Sequence, residues 1–221
     1  MKVIIAFFSV LLMLGFAFMF FKKTKDNSSG IVVVLNGPSG SGKSSIQKEF
    51  QKLHMPNLWI KVGIDNLFDN VMPEITPENM SFWQSKNPIR WVEKKKDDKG
   101  NDIVPLFVGE QGDKVFYAMN SCIAEYAKNG CNVIVDYIAY KKDMLSDLKE
   151  KLKNVESYFV AVQISLDVLE QREANRGTSP KGHARSHYFT VYGDMKYDLT
   201  VNSEKNSPKE IAQQIKNFIE K

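Results

Sequence analysis

The sequence has few of the residues that build covalent or metal-bound frameworks. Its 221 residues include only two cysteines, Cys122 and Cys131. Two cysteines are too few for a disulfide scaffold or a four-ligand zinc site, and they do not indicate an oxidising compartment. Cys122 lies in a stretch with helical character and Cys131 opens an apolar run, so we expect both to be small, buried side chains.

The chain also lacks a strong excess of one charge over most of its length. Four of its 30 basic residues and one of its 26 acidic residues lie in residues 1–26, which leaves a net charge of only +1 for the rest. A nearly neutral domain has no electrostatic footprint for nucleic acid, so we expect no nucleic-acid partner. The composition, 43% hydrophobic and 25% charged, is that of a globular domain and excludes disordered and collagen-like chains.

One long apolar run stands at the N-terminus. Residues 3–21 carry no charge, and a helix of that length would span about 28 Å, close to the hydrocarbon thickness of a bilayer. A cleaved signal peptide is the alternative, but no small-residue cleavage site follows the run. We therefore predict an uncleaved transmembrane anchor over residues 1–23, followed by a linker over residues 24–30.

Basic residues flank this run unequally. Lys2 precedes it, whereas Lys22, Lys23 and Lys25 follow it. Because basic residues favour the cytoplasmic side of a span, this bias predicts a single-pass membrane protein with residues 31–221 in the cytoplasm. The ATP chemistry predicted below favours the same side.

A glycine-rich loop follows the first apolar run of this domain. Residues 31–35 are apolar and mostly β-branched, as in a buried strand of a parallel sheet, and residues 45–53 have helical character. The pattern G-x-x-x-x-G-K-[ST] between such a strand and helix cradles nucleotide phosphates. A plain Gly/Ser turn would not need Lys-Ser after its last glycine. The predicted nucleotide-binding residues are Gly37, Pro38, Ser39, Gly40, Ser41, Gly42, Lys43, Ser44 and Ser45.

Three residues around this loop are candidates for binding phosphate and metal. Lys43 is expected to bind the β- and γ-phosphates of ATP and to be catalytic, and Ser44 is expected to coordinate Mg²⁺. Asp136 ends the apolar strand over residues 133–135 and is the second predicted ligand of Mg²⁺ or its waters. A simple turn residue is the alternative for Asp136.

Asp65 is the candidate catalytic base. It ends the apolar stretch over residues 58–64, and the carboxyl ends of strands in an open α/β sheet face the ligand crevice. A carboxylate there can accept the proton of a hydroxyl that attacks the γ-phosphate. The alternative is an N-cap of the following helix.

Three arginines follow the fourth predicted strand. Arg172 and Arg176 are four residues apart on the helical stretch 167–176 and so share a face, and Arg185 follows a segment with glycine and proline. Arginines on a closing segment can bind nucleotide phosphates and stabilise transition-state charge. We predict Arg176 and Arg185 as catalytic and Arg172 as a nucleotide contact. A solvated helix face is the alternative for Arg172 and Arg176.

An insert of about residues 73–110 lies between the second and third predicted strands. Its charged run over residues 94–102 lies between two apolar segments and predicts a hairpin, and a helix is expected over residues 114–128. An insert at this place overhangs the crevice, so we expect it to cover the acceptor substrate. The alternative is that its aromatic residues fill a small core of their own: Phe82, Trp83 and Trp91.

The sequence also predicts the last strand and the last helix. A fifth strand is predicted over residues 198–201, and the run Ser207-Pro208-Lys209-Glu210 is a capping box with proline at the first helical position. The predicted helix that follows carries apolar residues at helical spacing. They are Ile211, Ala212, Ile215, Phe218 and Ile219.

Together these motifs resemble the chloramphenicol phosphotransferase-like P-loop kinases over about residues 31–221. The matching segments are Leu35 to Ile46, Gly63-Ile64-Asp65-Asn66-Leu67 with Met72-Pro73, Gly130 to Asp136, Arg172 with Arg176-Gly177, and Tyr197-Asp198-Leu199. The resemblance implies a P-loop NTPase fold, a three-layer α/β/α arrangement with a five-stranded parallel sheet. It also implies ATP with Mg²⁺ as donor and an antibiotic-like primary hydroxyl as acceptor. It places Asp65 at the position of the general base and the three arginines in the lid.

We therefore predict an α/β kinase domain preceded by one N-terminal transmembrane helix, which transfers the γ-phosphate of ATP to the hydroxyl of a small molecule. Two alternatives stay open. One is a kinase for a nucleotide sugar, nucleoside or other metabolite, and the other is a non-catalytic ATP-binding module at the membrane. A binding module has no use for a carboxylate facing the γ-phosphate, so the role of Asp65 separates the two classes.

Overall fold

The strands and helices are taken from a computed structural model that describes residues 29–66 and 71–221. The strands are β1 (Val32–Asn36), β2 (Trp59–Gly63), β3 (Ile89–Trp91), β4 (Lys95–Lys96), β5 (Asp102–Ile103), β6 (Leu106–Val108), β7 (Asn132–Tyr137), β8 (Ser157–Gln163) and β9 (Leu199–Asn202). The helices are α1 (Lys43–His54), α2 (Met80–Gln84), α3 (Glu110–Lys128), α4 (Met144–Lys151), α5 (Leu166–Arg176), α6 (His183–Tyr188) and α7 (Pro208–Ile219).

Five of the strands form a wholly parallel sheet in the order β2–β7–β1–β8–β9. All five residues of β1, the central strand, are buried. A continuous apolar run is what a strand covered on both faces requires, and this explains why the sequence pattern was readable. The predicted five-stranded parallel sheet is confirmed.

Helices cover both faces of the sheet. Side chains alternate along β1, so that Val33 and Leu35 join a core with α1 and α7, while Val32 and Val34 join a core with α3 and α4. The result is three layers, α/β/α. The carboxyl ends of β1, β2 and β7 meet at one edge of the sheet, where the phosphate loop begins.

The insert between β2 and β7 is built from two antiparallel strand pairs, β3 with β6 and β4 with β5. The turn between β4 and β5 is organised by Asp97, whose carboxylate accepts hydrogen bonds from the backbone of Lys99 and Asn101. The predicted hairpin is therefore confirmed. The two tryptophans of the insert differ in burial, since Trp83 is buried whereas Trp91 is 47% exposed.

The prediction of an N-terminal transmembrane helix needs correction. The structure describes no helix, within residues 29–66 and 71–221, that combines the length and the apolar character needed to cross a bilayer. The longest of these helices, α3, has 19 residues but carries charged side chains in its first and last turns. The predicted anchor lies outside the described residues. The fold class of residues 29–66 and 71–221 is therefore a three-layer α/β fold with no membrane-spanning helix among these residues, and the structure does not support the predicted single-pass membrane localisation.

The prediction of two buried cysteines is also wrong. Cys122 is exposed and Cys131 is half-buried. On α3 the buried residues recur at helical spacing, with Phe116, Met119 and Ile123 among them, and Cys122 falls beside this stripe. Helical periodicity therefore decided the position of Cys122 rather than the general preference of cysteine for the interior.

Candidate active site

The phosphate loop between β1 and α1 depends on its glycines. Gly40 and Gly42 have φ angles of +85° and +94°, in the left-handed region that glycine adopts without a steric penalty. A Cβ atom on Gly37 would lie 2.6 Å from the backbone oxygen of Val162. The loop therefore turns sharply and passes close to β8, which brings its backbone and the N-terminus of α1 to the same place.

Lys43 is held by the loop that precedes it. Its buried Nζ donates hydrogen bonds to the carbonyl oxygens of Gly37 (2.8 Å) and Pro38 (2.9 Å) and lies 3.4 Å from Oδ1 of Asp136. Burial lowers the pKa of Lys43, whereas the charges of Asp136 and, more weakly, Asp65 raise it. The side chain is therefore positioned at the carboxyl edge of the sheet, with two carboxylates acting on its ammonium group.

Ser44 and Asp136 form a second contact at this edge. Ser44 Oγ donates a 2.6 Å hydrogen bond to Oδ2 of Asp136. The two come from different elements, the first turn of α1 and the carboxyl end of β7. A hydroxyl and a carboxylate are the hard oxygen ligands that Mg²⁺ prefers, and Mg²⁺ at nucleotide sites is usually bound by one or two protein groups plus phosphates. The pair therefore fits the predicted metal.

No larger metal cluster competes with this pair in the part of the chain that the structure describes. Within residues 29–66 and 71–221, no group of three or more His, Cys, Asp or Glu side chains is placed to bind a metal ion.

Asp65 is on the same side of the sheet as these groups. It follows β2 by two residues, and the last residue of that strand, Gly63, is paired in register with Asp136. Its negative charge acts on Lys43 and also on Tyr140, whose pKa is raised chiefly by burial. This placement agrees with the expectation that the carboxyl end of β2, where Asp65 lies, faces the ligand crevice.

A pocket of about 500 Å³ brings together many of the predicted residues, although Gly37, Pro38, Ser41 and Arg185 do not line it. This volume is in the range of cavities that bind small molecules. The pocket is lined by the loop and the start of α1, by residues at the ends of β2 and β7, by α5, and by the segment after β9 with the start of α7. Its lining includes Ser39, Gly40, Gly42, Lys43, Ser44, Ser45, Asp65, Asp136, Ile138, Arg172, Asn175, Arg176, Ser203, Asn206, Pro208 and Ile211.

Arg172 and Arg176 both face this pocket. Arg172 donates from Nη2 to the carbonyl oxygen of Ser203 (2.8 Å), and Arg176 donates from Nη2 to Oγ of Ser39 (3.3 Å). The face that they share on α5 is therefore turned toward the loop and the segment after β9, and it is not simply a solvated face of the helix. These two arginines and Lys43 place three cationic side chains around one cavity, which suits an anionic ligand.

Arg185 is placed elsewhere. Its guanidinium contacts both carboxylate oxygens of Glu170, at 2.5 and 3.0 Å, and its Nη1 lies 3.6 Å from Asp97. It does not line the described pocket. Arg185 joins α6 to α5 and to the hairpin of the insert.

Two residues that support the site escaped the sequence analysis. Asn36, the fully buried last residue of β1, donates from Nδ2 to the carbonyl oxygen of Val191 (2.8 Å) and to the hydroxyl of Tyr197 (2.7 Å). Its Oδ1 accepts from the backbone of Ala139 (3.2 Å). Asn36 therefore ties two segments to the start of the loop. A polar residue ending a buried strand just before Gly37 is the signal that could have indicated it.

Glu173 is the other supporting residue. It is buried on α5, and its two carboxylate oxygens accept from the backbone N–H groups of Gly182 (2.6 Å) and Ala184 (2.7 Å). These bonds anchor the start of α6 to the helix that carries Arg172 and Arg176. No local pattern marks Glu173, because its partners lie nine and eleven residues further along the chain.

The chain is similar to known proteins over almost all of the residues that the structure describes. The family described as chloramphenicol phosphotransferase-like protein matches residues 30–220. A protein of Mycobacterium tuberculosis, provisionally named an O-phosphotransferase, is 25% identical over 186 residues. That match covers 84% of this chain and 80% of the relative.

Solved structures share the same architecture. Mycobacterium tuberculosis APS kinase, in complex with AMPPNP and APS, superposes with a TM-score of 0.56 at 16% identity, over 87% of this chain and 99% of that chain. An unliganded sugar kinase from Janibacter sp. HTCC2649 has a TM-score of 0.55 at 16% identity, over 87% and 95% of the two chains. At these identities the likeness shows a common P-loop kinase-like fold.

Proposed function

The chain belongs to the family of chloramphenicol phosphotransferase-like proteins, and from this premise we propose that it transfers the γ-phosphate of ATP, bound with Mg²⁺, to a hydroxyl group of a small molecule. The predicted class of activity, a small-molecule kinase, is confirmed by the family and by its phosphotransferase relatives. The donor, the metal and the role of each residue are proposed from the geometry of the site.

One observation carries the proposal. A phosphate loop, a hydroxyl–carboxylate pair and a second carboxylate line one pocket. Phosphoryl transfer needs a site for the phosphates, a site for the metal and a group that receives the proton of the acceptor. A nucleotide-binding module would need only the first two of these, so Asp65 in the same pocket favours an enzyme.

The residues of the loop would bind the phosphates. Lys43 presents a buried ammonium group, and α1 begins at this residue with no acidic side chain in its first turn. The positive end of the helix is therefore available to an anion. Arg176, which already contacts Ser39 on the loop, would add charge over the transferred group, where a cation stabilises the transition state most.

Ser44 and Asp136 would hold the metal. When bound, Mg²⁺ would neutralise the negative charge that develops on the phosphates during transfer. The 2.6 Å hydrogen bond between the two side chains places both oxygens at one point of the pocket, so little rearrangement is needed to present them to the ion.

Asp65 would act as the general base. The acceptor oxygen forms a bond to the γ-phosphorus while the bond from that phosphorus to the bridging oxygen of ADP breaks, and the proton of the hydroxyl passes to the carboxylate of Asp65. The carboxylate of Asp65 lies close enough to Lys43 for its charge to act on the ammonium group. This role requires only that the acceptor hydroxyl lies within hydrogen-bond distance of Asp65 in the complex.

Other residues of the pocket and the insert would contact the nucleotide base and the acceptor. Arg172 is fixed by Ser203, and the apolar atoms of Pro208 and Ile211 line the same cavity, so the nucleotide base would lie between them. The insert follows Asp65 in the chain and exposes half of Trp91, so it would cover the acceptor.

ATP turnover by the full chain tests the proposal. The native protein, Asp65→Asn and the control Asp98→Asn, an exposed aspartate in the β4–β5 turn, are assayed with a panel of hydroxylated small molecules that includes chloramphenicol. We expect acceptor-dependent ADP release that Asp65→Asn lowers on the order of 10²- to 10⁴-fold, with AMPPNP binding kept within a few-fold. Asp98→Asn should behave as the native protein. Equal turnover by Asp65→Asn would refute the assignment of the base.

A further inference from the structure

Two buried histidines lie next to the phosphate loop. His183 and His187, both on α6, are 2% and 5% exposed, and their ring centroids are 4.9 Å apart. Buried imidazoles normally have their nitrogens satisfied by hydrogen bonds, and these partners decide which nitrogen carries the proton. The reaction proposed above uses neither histidine.

His187 accepts a hydrogen bond from the loop itself. Its Nε2 lies 3.0 Å from the backbone nitrogen of Ser39. A backbone N–H can only donate, so Nε2 must be unprotonated and Nδ1 must carry the proton of a neutral ring. Burial is the main cause that holds the pKa of His187 well below its ordinary value, and the ammonium group of Lys43 lowers it further, which agrees with this assignment.

His183 is fixed in the same tautomer by partners outside the loop. Its Nδ1 lies 3.0 Å from the carbonyl oxygen of Val104, which can only accept, so this nitrogen carries the proton. Its Nε2 then accepts from the hydroxyl of Tyr140, at 3.1 Å. The ring of Tyr140 also packs edge-on against His187, with centroids 5.1 Å apart.

The insert and α5 hold these two rings in place. Val104 lies between β5 and β6, and its backbone nitrogen also donates to the carbonyl oxygen of Gly182 (3.2 Å). The indole of Trp91 packs edge-on against His183, with centroids 5.9 Å apart. Glu173 binds the backbone at the start of α6. These contacts fix His183 and the start of α6, the helix that also carries His187.

We infer that His187 is a positioning residue for phosphoryl transfer: by accepting the N–H of Ser39 it holds the phosphate loop in the conformation that binds the donor, and His183 ties that conformation to the insert. The inference rests on the proposed function, since the loop must bind a nucleotide for its position to matter. It predicts that the imidazole acts through the loop and touches no substrate.

AMPPNP binding to full-length variants, with no acceptor present, tests this role. His187→Leu removes the hydrogen-bond acceptor and leaves the Ser39 N–H buried without its partner, so we expect the dissociation constant to rise on the order of ten-fold. His187→Gln can offer an amide oxygen to the same N–H, so we expect it to restore affinity to within about three-fold of the native protein. Acceptor-dependent kcat should fall less than affinity does, because the ring does not touch the reacting atoms.

His54 supplies the matched control. It is buried at the end of α1 against Phe50 and Trp59, away from the loop. His54→Leu should change thermal stability and leave AMPPNP affinity as it is. The inference is overturned if folded His187→Leu binds AMPPNP as tightly as the native protein, or if His187→Gln, also folded, binds as weakly as His187→Leu.

A second measurement needs neither a variant nor turnover. In the ¹⁵N spectrum of the native chain, we expect His187 to show a protonated Nδ1 and an unprotonated Nε2, and to keep this form at about pH 6.5, where an ordinary histidine is half protonated. A protonated Nε2 at neutral pH would overturn the inference. The inference alone is refuted if the native protein binds AMPPNP and transfers phosphate but the His187→Leu variant is unaffected. The proposed function is refuted if the native protein binds no AMPPNP.

Discussion

Ser44 Oγ and Asp136 Oδ2 are 2.6 Å apart, although 92 residues separate them in the chain. The contact exists because β1 and β7 are neighbours in the sheet, with Leu35 paired to Asp136 in register. The second residue of α1 therefore faces the last residue but one of β7. This relationship is the basis for the proposed metal site.

Loss of either partner should raise the Mg²⁺ requirement. For Ser44→Ala and Asp136→Asn we expect the Mg²⁺ concentration at half-maximal rate to rise on the order of ten- to a hundred-fold, because each loses an oxygen ligand. Ser44→Thr keeps the hydroxyl and should stay close to the native protein. Mg²⁺ titrations of ATP turnover measure this effect. Unchanged Mg²⁺ dependence in both variants would contradict the assignment.

A methyl group on Gly37 should disturb the loop. Its Cβ would lie 2.6 Å from the backbone oxygen of Val162, which cannot move like the end of a side chain, so we expect Gly37→Ala to cost about 1–3 kcal/mol and to weaken AMPPNP binding. Urea unfolding and calorimetric titration give the two quantities. Gly193→Ala is the control, since its Cβ would meet no atom within 4 Å. That control should lose some stability, because Gly193 has a φ of +55°, and should keep native AMPPNP affinity.

Glu173→Gln should loosen the segment that carries α6. A glutamine keeps one acceptor oxygen but turns its amide N–H₂ toward one of the two backbone donors, so we expect a loss of about 2 kcal/mol in the free energy of unfolding and a higher KM for ATP. Glu170→Gln is the control on the same helix. Its carboxylate pairs with Arg185 at a more exposed position, so we expect at most about 1 kcal/mol. Equal losses from the two variants, measured in urea, would argue against the proposed anchoring.

Arg176 and Arg185 should differ in their effect on the rate. Arg176 lines the pocket beside Ser39, whereas Arg185 is bound to Glu170 and Asp97. We therefore expect Arg176→Ala to lower kcat at least 100-fold, as loss of a transition-state cation does, and Arg185→Ala to lower it much less and mainly to reduce stability. Steady-state kinetics with thermal unfolding separates the two effects. A larger loss of kcat in Arg185→Ala would restore Arg185 to the catalytic role predicted from sequence.

Local patterns were enough to locate much of the site. The apolar run of β1 and the glycines after it predicted the loop, and Asp65 was expected in the ligand crevice because the carboxyl ends of parallel strands face it. The capping box was equally readable, and the hydroxyl of Ser207 accepts from the backbone of Glu210 as expected. Each of these features depends on neighbours within a few residues or on one rule of sheet topology.

What the sequence by itself determined is therefore the sheet, the loop and the class of chemistry. Only the tertiary structure decided which distant groups meet: Asn36 with Val191, His187 with Ser39, and Arg185 with Asp97 rather than with the pocket. These contacts join residues that are 155, 148 and 88 positions apart, and no periodicity or motif encodes such a pairing. The hydrogen-bond partner of a buried polar group is the group that lies within about 3 Å of it once the chain has packed. Packing is a property of the whole fold.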